Sequence, residues 1–401
     1  MNMLIIGNGF DLAHGRPTKY EHFLQFLDCI LRAKDYIGDK AKFEATLNID
    51  CPVVRDYILS SFDTRQNPGS ASVGNKNDVI QELYDCLDKN AWYAYFHWIR
   101  SNDLSRGKNW VDFESEIRTI IDYLDHQTND LYDSLPLSTR GFPDCPKKVG
   151  YFWNHLDFAA YNSRNQRNKS YRNTYFDLIE KTYQDLNNLI RCLEIYLDNC
   201  VGKMPTLHYS PDIRELEIGS IISFNYTTIP TEIYSSLNVH THYIHGHAET
   251  ERSAIDNNMV LGVNEYWEGN DKNTHTNFNL YKKFVQRIIK ETGIDYKRTL
   301  RYMQSEENRR KTILKGKKSG SPYINHIYIF GHSLDVTDGD ILREIIEADD
   351  TDTTIFYKDK QQQANQIANL SKVLGQDELL ERTFSISPTI IFKQQRDMVK
   401  L

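Results

Sequence analysis

Residues Asn2 to Ile6 read as a buried strand, apolar from Met3 on, that passes directly into Gly7-Asn8-Gly9-Phe10-Asp11-Leu12. A buried strand whose tip is a Gly-x-Gly turn is how a doubly wound α/β sheet opens a nucleotide site, so this feature predicts a mainly parallel sheet. A helix is expected from about Tyr20, with Phe23, Leu24, Phe26, Leu27, Ile30 and Leu31 on one face. The next strand does not follow. From about Asp35 to Leu216 amphipathic runs dominate, among them Val79-Ile80-Leu83-Tyr84-Leu87 and Phe113-Ile117-Ile120-Ile121-Leu124. Their i, i+3, i+4, i+7 rhythm predicts packed helices, with loops over 64–77 and 162–172. Strand character returns at 218–224, 239–244, 259–263, 327–330, 353–357 and 389–392, with helices expected over 341–348 and 363–374. Strands alternating with helices predict βαβ units. The expected fold is therefore α/β, a Rossmann-like parallel sheet with a large α-helical insertion. One domain is split into 1–34 and 217–401, and 35–216 is the insertion.

Composition narrows the class without naming a chemistry. The chain has 401 residues, 48 Lys+Arg against 55 Asp+Glu and a net charge of -7, which argues against generic nucleic-acid coating. No stretch approaches the ~20 apolar residues of a membrane span. The apolar start lacks a basic leader and is shorter than a secretory h-region, so a cytoplasmic protein is expected. The six cysteines show no C-x-x-C spacing and read as buried thiols, neither a disulfide framework nor a zinc site. Aromatics reach 12%, with 25 Tyr and 18 Phe, and much of this is expected to pack the helical insertion.

Four motifs fall where strands are expected to end, the edge at which open α/β sheets bind ligands. Gly7 and Gly9 allow a tight turn and close approach to a phosphate; a plain glycine turn is the alternative. In Ser223-Phe224-Asn225-Tyr226-Thr227, Asn225 at a strand tip would hold a sugar hydroxyl or a water, or else cap a turn. In His242-Tyr243-Ile244-His245-Gly246-His247, an imidazole is a candidate base. No further Cys or carboxylate beyond Glu249 suits a metal there, so no metal is expected. Gly331-His332-Ser333-Leu334-Asp335 follows a buried strand, and Ser333 or Asp335 would cap the next helix. It fails the G-x-S-x-G pattern of a nucleophile elbow. Asp112, Glu114 and Glu116 suit a helix's first turn. The basic run Arg309, Arg310, Lys311, Lys315, Lys317 and Lys318 reads as a solvated loop, with nucleic-acid contact as the sharper reading.

Leu4-Ile5-Ile6-Gly7-Asn8-Gly9-Phe10-Asp11-Leu12-Ala13-His14-Gly15 with Pro17-Thr18-Lys19-Tyr20 resembles the opening of AbiH proteins, a family of bacterial phage abortive-infection proteins. Trp110-Val111-Asp112-Phe113-Glu114, Phe224-Asn225-Tyr226-Thr227 and Gly331-His332-Ser333-Leu334 also look like that family. AbiH proteins are in turn distantly similar to sirtuin-like (sirtuin/DHS-like) NAD-binding domains. The resemblance implies an abortive-infection effector that hydrolyses NAD to nicotinamide and ADP-ribose, with NAD as substrate and no metal. It implies Asn225 and His245 as catalytic residues, and Gly7, Asn8, Gly9, Phe10, Asp11, Thr227, Gly331, His332 and Ser333 around the nucleotide. The sirtuin zinc-ribbon cysteines are absent, which argues against deacetylation. A nucleotide sensor without turnover is the alternative, followed by an effector acting on nucleic acid. The expected partners are NAD, a phage-derived trigger or partner protein and further copies of the chain, not a membrane.

Overall fold

The structure, a computed structural model, describes residues 2–66, 74–102, 112–126, 146–156, 171–229, 234, 239–266, 269, 271, 275–314 and 325–401. The chain divides into two units, each assembled from separate segments. The first comprises Met1–Pro17, Met204–His247 and Glu291–Leu401; the second comprises Thr18–Lys203 and Ala248–Lys290. Sequence periodicity predicted breaks at 34/35 and 216/217. Instead, 18–34 and 248–290 belong to the helical unit, and 204–216 belongs to the sheet unit.

The first unit is built on a six-stranded parallel sheet. Its strands are β1 (Asn2–Ile6), β3 (Ser220–Ser223), β4 (His240–Tyr243), β5 (Asn325–Phe330), β6 (Thr351–Tyr357) and β7 (Ile390–Gln394). The order is β4-β3-β1-β5-β6-β7; β2 (His208–Tyr209) and β8 (Val399–Lys400) form a separate antiparallel pair. β1 is central, and Met3 to Ile6 are wholly buried, which is why that run is apolar without alternation. Edge strand β4 reads His-Thr-His-Tyr, and edge strand β7 carries Lys393 and Gln394, so both edges hold polar residues.

The helix Gly339–Ile346 buries Ile341, Leu342, Ile345 and Ile346 in a core shared with Met3, Ile5, Ile222, Ile327 and Ile329. Lys360–Leu374 starts where Asp359 accepts the Gln362 N–H at 2.8 Å. The expected α/β sheet and its helices are thus present, with strand ends within a few residues of those predicted.

The second unit is mostly helical. Its longest described helices are Tyr20–Asp35, Pro52–Gln66, Gly74–Leu87, Ala91–Asn102, Phe113–His126 and Tyr171–Tyr196. Aromatic contacts fill it: Phe113 stacks on Phe96 at 3.9 Å and on Tyr20 at 4.1 Å, and Trp92 meets Phe152 at 4.4 Å. The buried Trp92 indole donates to the Thr182 carbonyl at 2.9 Å. Part of the aromatic excess noted in the sequence is accounted for here.

One expected strand is absent. Residues 259–263 are apolar and buried, yet only Val263 bridges, to Lys282. The Gln286 carboxamide accepts the Leu261 N–H and donates to its carbonyl, both at 3.0 Å, in place of a neighbouring strand. An apolar run shows burial; it does not show which group meets the backbone. The acidic Asp112 caps its helix by accepting the Ser115 N–H at 3.2 Å, and Glu114 pairs with the buried Lys283 at 2.8 Å. Cys29, Cys51, Cys86, Cys192 and Cys200 are free thiols, and Cys145 lies outside the described residues.

Candidate functional site

Register brings four strand ends level in the first unit. Ile6 pairs with Ser223 on one side and with Phe330 on the other, and Ser223 pairs with Tyr243. At the carboxyl edge the chain passes from these ends into Gly7, Phe224-Asn225, Ile244-His245 and Gly331. The chain first leaves β1 with one neighbour on each side, both added much later in sequence. That is the switch point at which parallel sheets open a crevice.

The glycine turn is built for chain packing. Gly9 donates to the Gly331 carbonyl at 2.8 Å and Gly7 to the Phe330 carbonyl at 3.3 Å, so both amides are spent within the protein. Gly331 has φ +70, and a Cβ there would lie 2.1 Å from the Phe10 backbone nitrogen. A Cβ on Gly9 would lie 2.8 Å from Gly331 Cα. These glycines let the two turns touch. Of the polar side chains proposed around the nucleotide, those of Asn8 and Ser333 are exposed.

Behind the turn lies a buried polar cluster. Asp11 is 1% exposed and accepts the Thr227 hydroxyl at 2.7 Å. Asn225 is 5% exposed and donates to the Gly7 carbonyl at 3.0 Å. Asp11 Oδ1 and Asn225 Oδ1 accept no hydrogen bond from any described residue. Burial pushes the Asp11 carboxyl up to about 7, against the lowering effects of Thr227, Asn225 and the Arg16 charge. Arg16 is itself buried and bonds the Met204 carbonyl and the Thr206 hydroxyl, tying the chain where it leaves this unit to where it returns. His14 Nδ1–H donates to the Phe10 carbonyl at 2.7 Å, so Nε2 accepts from the Tyr234 hydroxyl, also at 2.7 Å. Burial lowers His14 to about 4 and keeps it neutral.

The histidines divide by role. His242 is structural: Nδ1 accepts the Tyr296 N–H at 3.1 Å, and Nε2–H donates to the Thr292 carbonyl at 2.9 Å. The strand ends at Tyr243, and Gly246 turns with φ +72, so His245 and His247 do not continue a strand face. His247 packs on Tyr243. His245 is 4% exposed and its Nε2 lies 3.0 Å from Asp338 Oδ1; a carboxylate accepts, so Nε2 carries the proton. On the other oxygen, His332 Nε2 stands 3.6 Å from Asp338 Oδ2. The Phe224 ring meets both imidazoles edge-on, at 5.6 Å and 4.4 Å.

Asp338 is the residue that sequence reasoning missed. It opens a helix, where aspartate is common for capping alone, so its position carried no distinguishing signal. Asp335 caps not that helix but the short 3-10 turn Val336–Asp338 before it, accepting the Thr337 N–H at 3.0 Å. Arg309, Arg310 and Lys311 fall in the helix Asp295–Leu314, not in a loop, because the helix runs further than its polar sequence suggests. Lys315, Lys317, Lys318, Trp110 and Val111 lie outside the described residues. Among the described residues no three His, Cys, Asp or Glu form a metal site, and no helix is long and apolar enough to cross a membrane.

A family model described as bacteriophage abortive infection AbiH matches residues 3–359, a span that includes every site residue named above. No curated protein and no solved structure matches the chain. The chain belongs to the AbiH family, which indicates an anti-phage abortive-infection role.

Proposed function

We propose that this AbiH protein hydrolyses NAD to nicotinamide and ADP-ribose as its abortive-infection chemistry. The observation that carries this reading is the placement of Asn225 and His245, both buried, just past the carboxyl ends of the adjacent strands β3 and β4 of a parallel sheet. Water adds to C1′ of the nicotinamide ribose while the C1′–N bond breaks and its electron pair leaves with neutral nicotinamide. The sugar passes through an oxocarbenium-like state, which a held ribose and an oriented water favour. The Asn225 carboxamide, fixed by the Gly7 carbonyl, would use Oδ1 to orient the water or a ribose hydroxyl. With its Nε2 proton directed at Asp338, His245 has Nδ1 to receive the water's proton. The exposed Asn8 and Ser333 side chains are the groups suited to meet the rest of the dinucleotide, since the Gly7 and Gly9 amides are already bonded.

Incubation of the full chain with NAD, before and during phage infection of expressing cells, tests the reading. Nicotinamide release is expected, and Asn225→Ala or His245→Ala should each lower it by roughly 10²-fold or more while the chain still unfolds in a single cooperative transition. No nicotinamide release in either setting would overturn it. Tight ADP-ribose binding with silent turnover would favour a nucleotide sensor instead.

A further inference from the structure

We propose that Asp338 is the positioning residue for His245: its carboxylate holds the imidazole by Nε2–H, so that Nδ1 faces the reaction. The inference rests on His245 being the base of the proposed hydrolysis, and four observations argue for it. Asp338 stands at the N-cap of the helix Gly339–Ile346, yet its side chain makes no capping bond. It is turned to His245 at 3.0 Å, while the neighbouring Asp335 does the local capping.

The second carboxylate oxygen has the His332 imidazole as its neighbour, at 3.6 Å. His332 Nδ1 accepts the Leu334 N–H at 2.9 Å, which leaves the proton on Nε2, the nitrogen nearest Asp338 Oδ2. That bond fixes the His332 tautomer through the backbone. Leu334 is wholly buried with φ +58, and Gly331 has φ +70, so the turn holding His332 has an unusual backbone maintained by its surroundings. Finally, Phe224 packs edge-on to both rings and limits their tilt. A diad of this kind keeps one tautomer and stabilises the imidazolium that forms when Nδ1 takes the proton. Asp338 touches no reacting atom in this scheme. Its effect passes through His245.

The test uses the full chain with Asp338→Ala, Asp338→Asn and Asp338→Glu. Asp338→Ala is expected to lower kcat for NAD hydrolysis by roughly 10²- to 10³-fold with KM little changed. Asp338→Asn, which keeps an acceptor but not the charge, should fall between, and Asp338→Glu should recover part of the loss. The independent readout is the His245 tautomer, read from two-bond ¹H–¹⁵N couplings on histidine-labelled protein and assigned with His245→Ala. The wild type should show the Nε2–H form, and Asp338→Ala should lose that preference. A chain that turns over no NAD would sink the hydrolysis reading, while the tautomer measurement would still decide the positioning role. Retention of a single Nε2–H tautomer in Asp338→Ala, or full kcat in Asp338→Asn, would overturn the proposal.

Discussion

At the scale of single residues, the site combines groups whose protonation is set by burial. Asp11 in the folded chain holds its proton up to about 7, whereas an unfolded aspartate releases it near 3.8. Between those values the native state binds more protons than the unfolded state, so this group's contribution to stability falls as pH rises. His14, lowered to about 4, acts in the opposite sense: its contribution is present above 6.5 and is lost as pH falls toward 4. Asp11→Asn isolates the first effect, because the amide resembles the protonated acid. Denaturant titrations from pH 4 to 8 should show the variant gaining on the wild type up to about pH 7, by a few kcal/mol, each pKa unit being worth about 1.4 kcal/mol. A difference that stays flat with pH would refute the assignment. The Asp11 position was legible in the sequence as part of the glycine turn. Its partnership with Thr227 was not, since the two meet only once β1 and β3 pair.

At the scale of elements, the turns after β1 and β5 are interlocked through backbone atoms. Gly331→Ala would require both a left-handed alanine and the removal of a 2.1 Å clash with the Phe10 nitrogen, which no side-chain rotation relieves. Gly15 has a similar φ of +76 but nothing within 4 Å of the Cβ it would gain. Gly15→Ala should therefore cost only ~1–2 kcal/mol, the backbone penalty alone. Gly331→Ala should cost well above that, or prevent folding. Equal shifts of the unfolding midpoint for the two variants would contradict the interlock. The strands and the helices around them followed from periodicity because burial dictates residue type. The segment 259–263 shows where that rule stops: the Gln286 side chain meets both backbone groups of Leu261, and no local pattern announces such a partner.

At the scale of the molecule, both units are assembled from distant segments, so long loops close before the contacts that reward them form. β1 must wait for Ser220–Ser223 and for Asn325–Phe330, and the site forms only with that pairing. Protection against phage belongs to this scale. Cells expressing Asn225→Ala or His245→Ala at wild-type abundance should lose protection in plaque assays, in step with loss of NAD turnover. Protection that survives in a hydrolysis-dead variant would separate the antiviral effect from this chemistry.

The sequence by itself determined the class of fold, the buried first strand and the glycine turn at its tip. Burial, glycine conformation and strand periodicity are local properties that leave a direct mark on residue type. Only the tertiary structure decided that the Gly7 and Gly9 amides are consumed by the turn after β5, that His242 is structural and that His245 faces Asp338. Those outcomes depend on which polar groups meet across long stretches of chain, and one carboxylate looks the same in sequence whether it caps a helix or holds an imidazole.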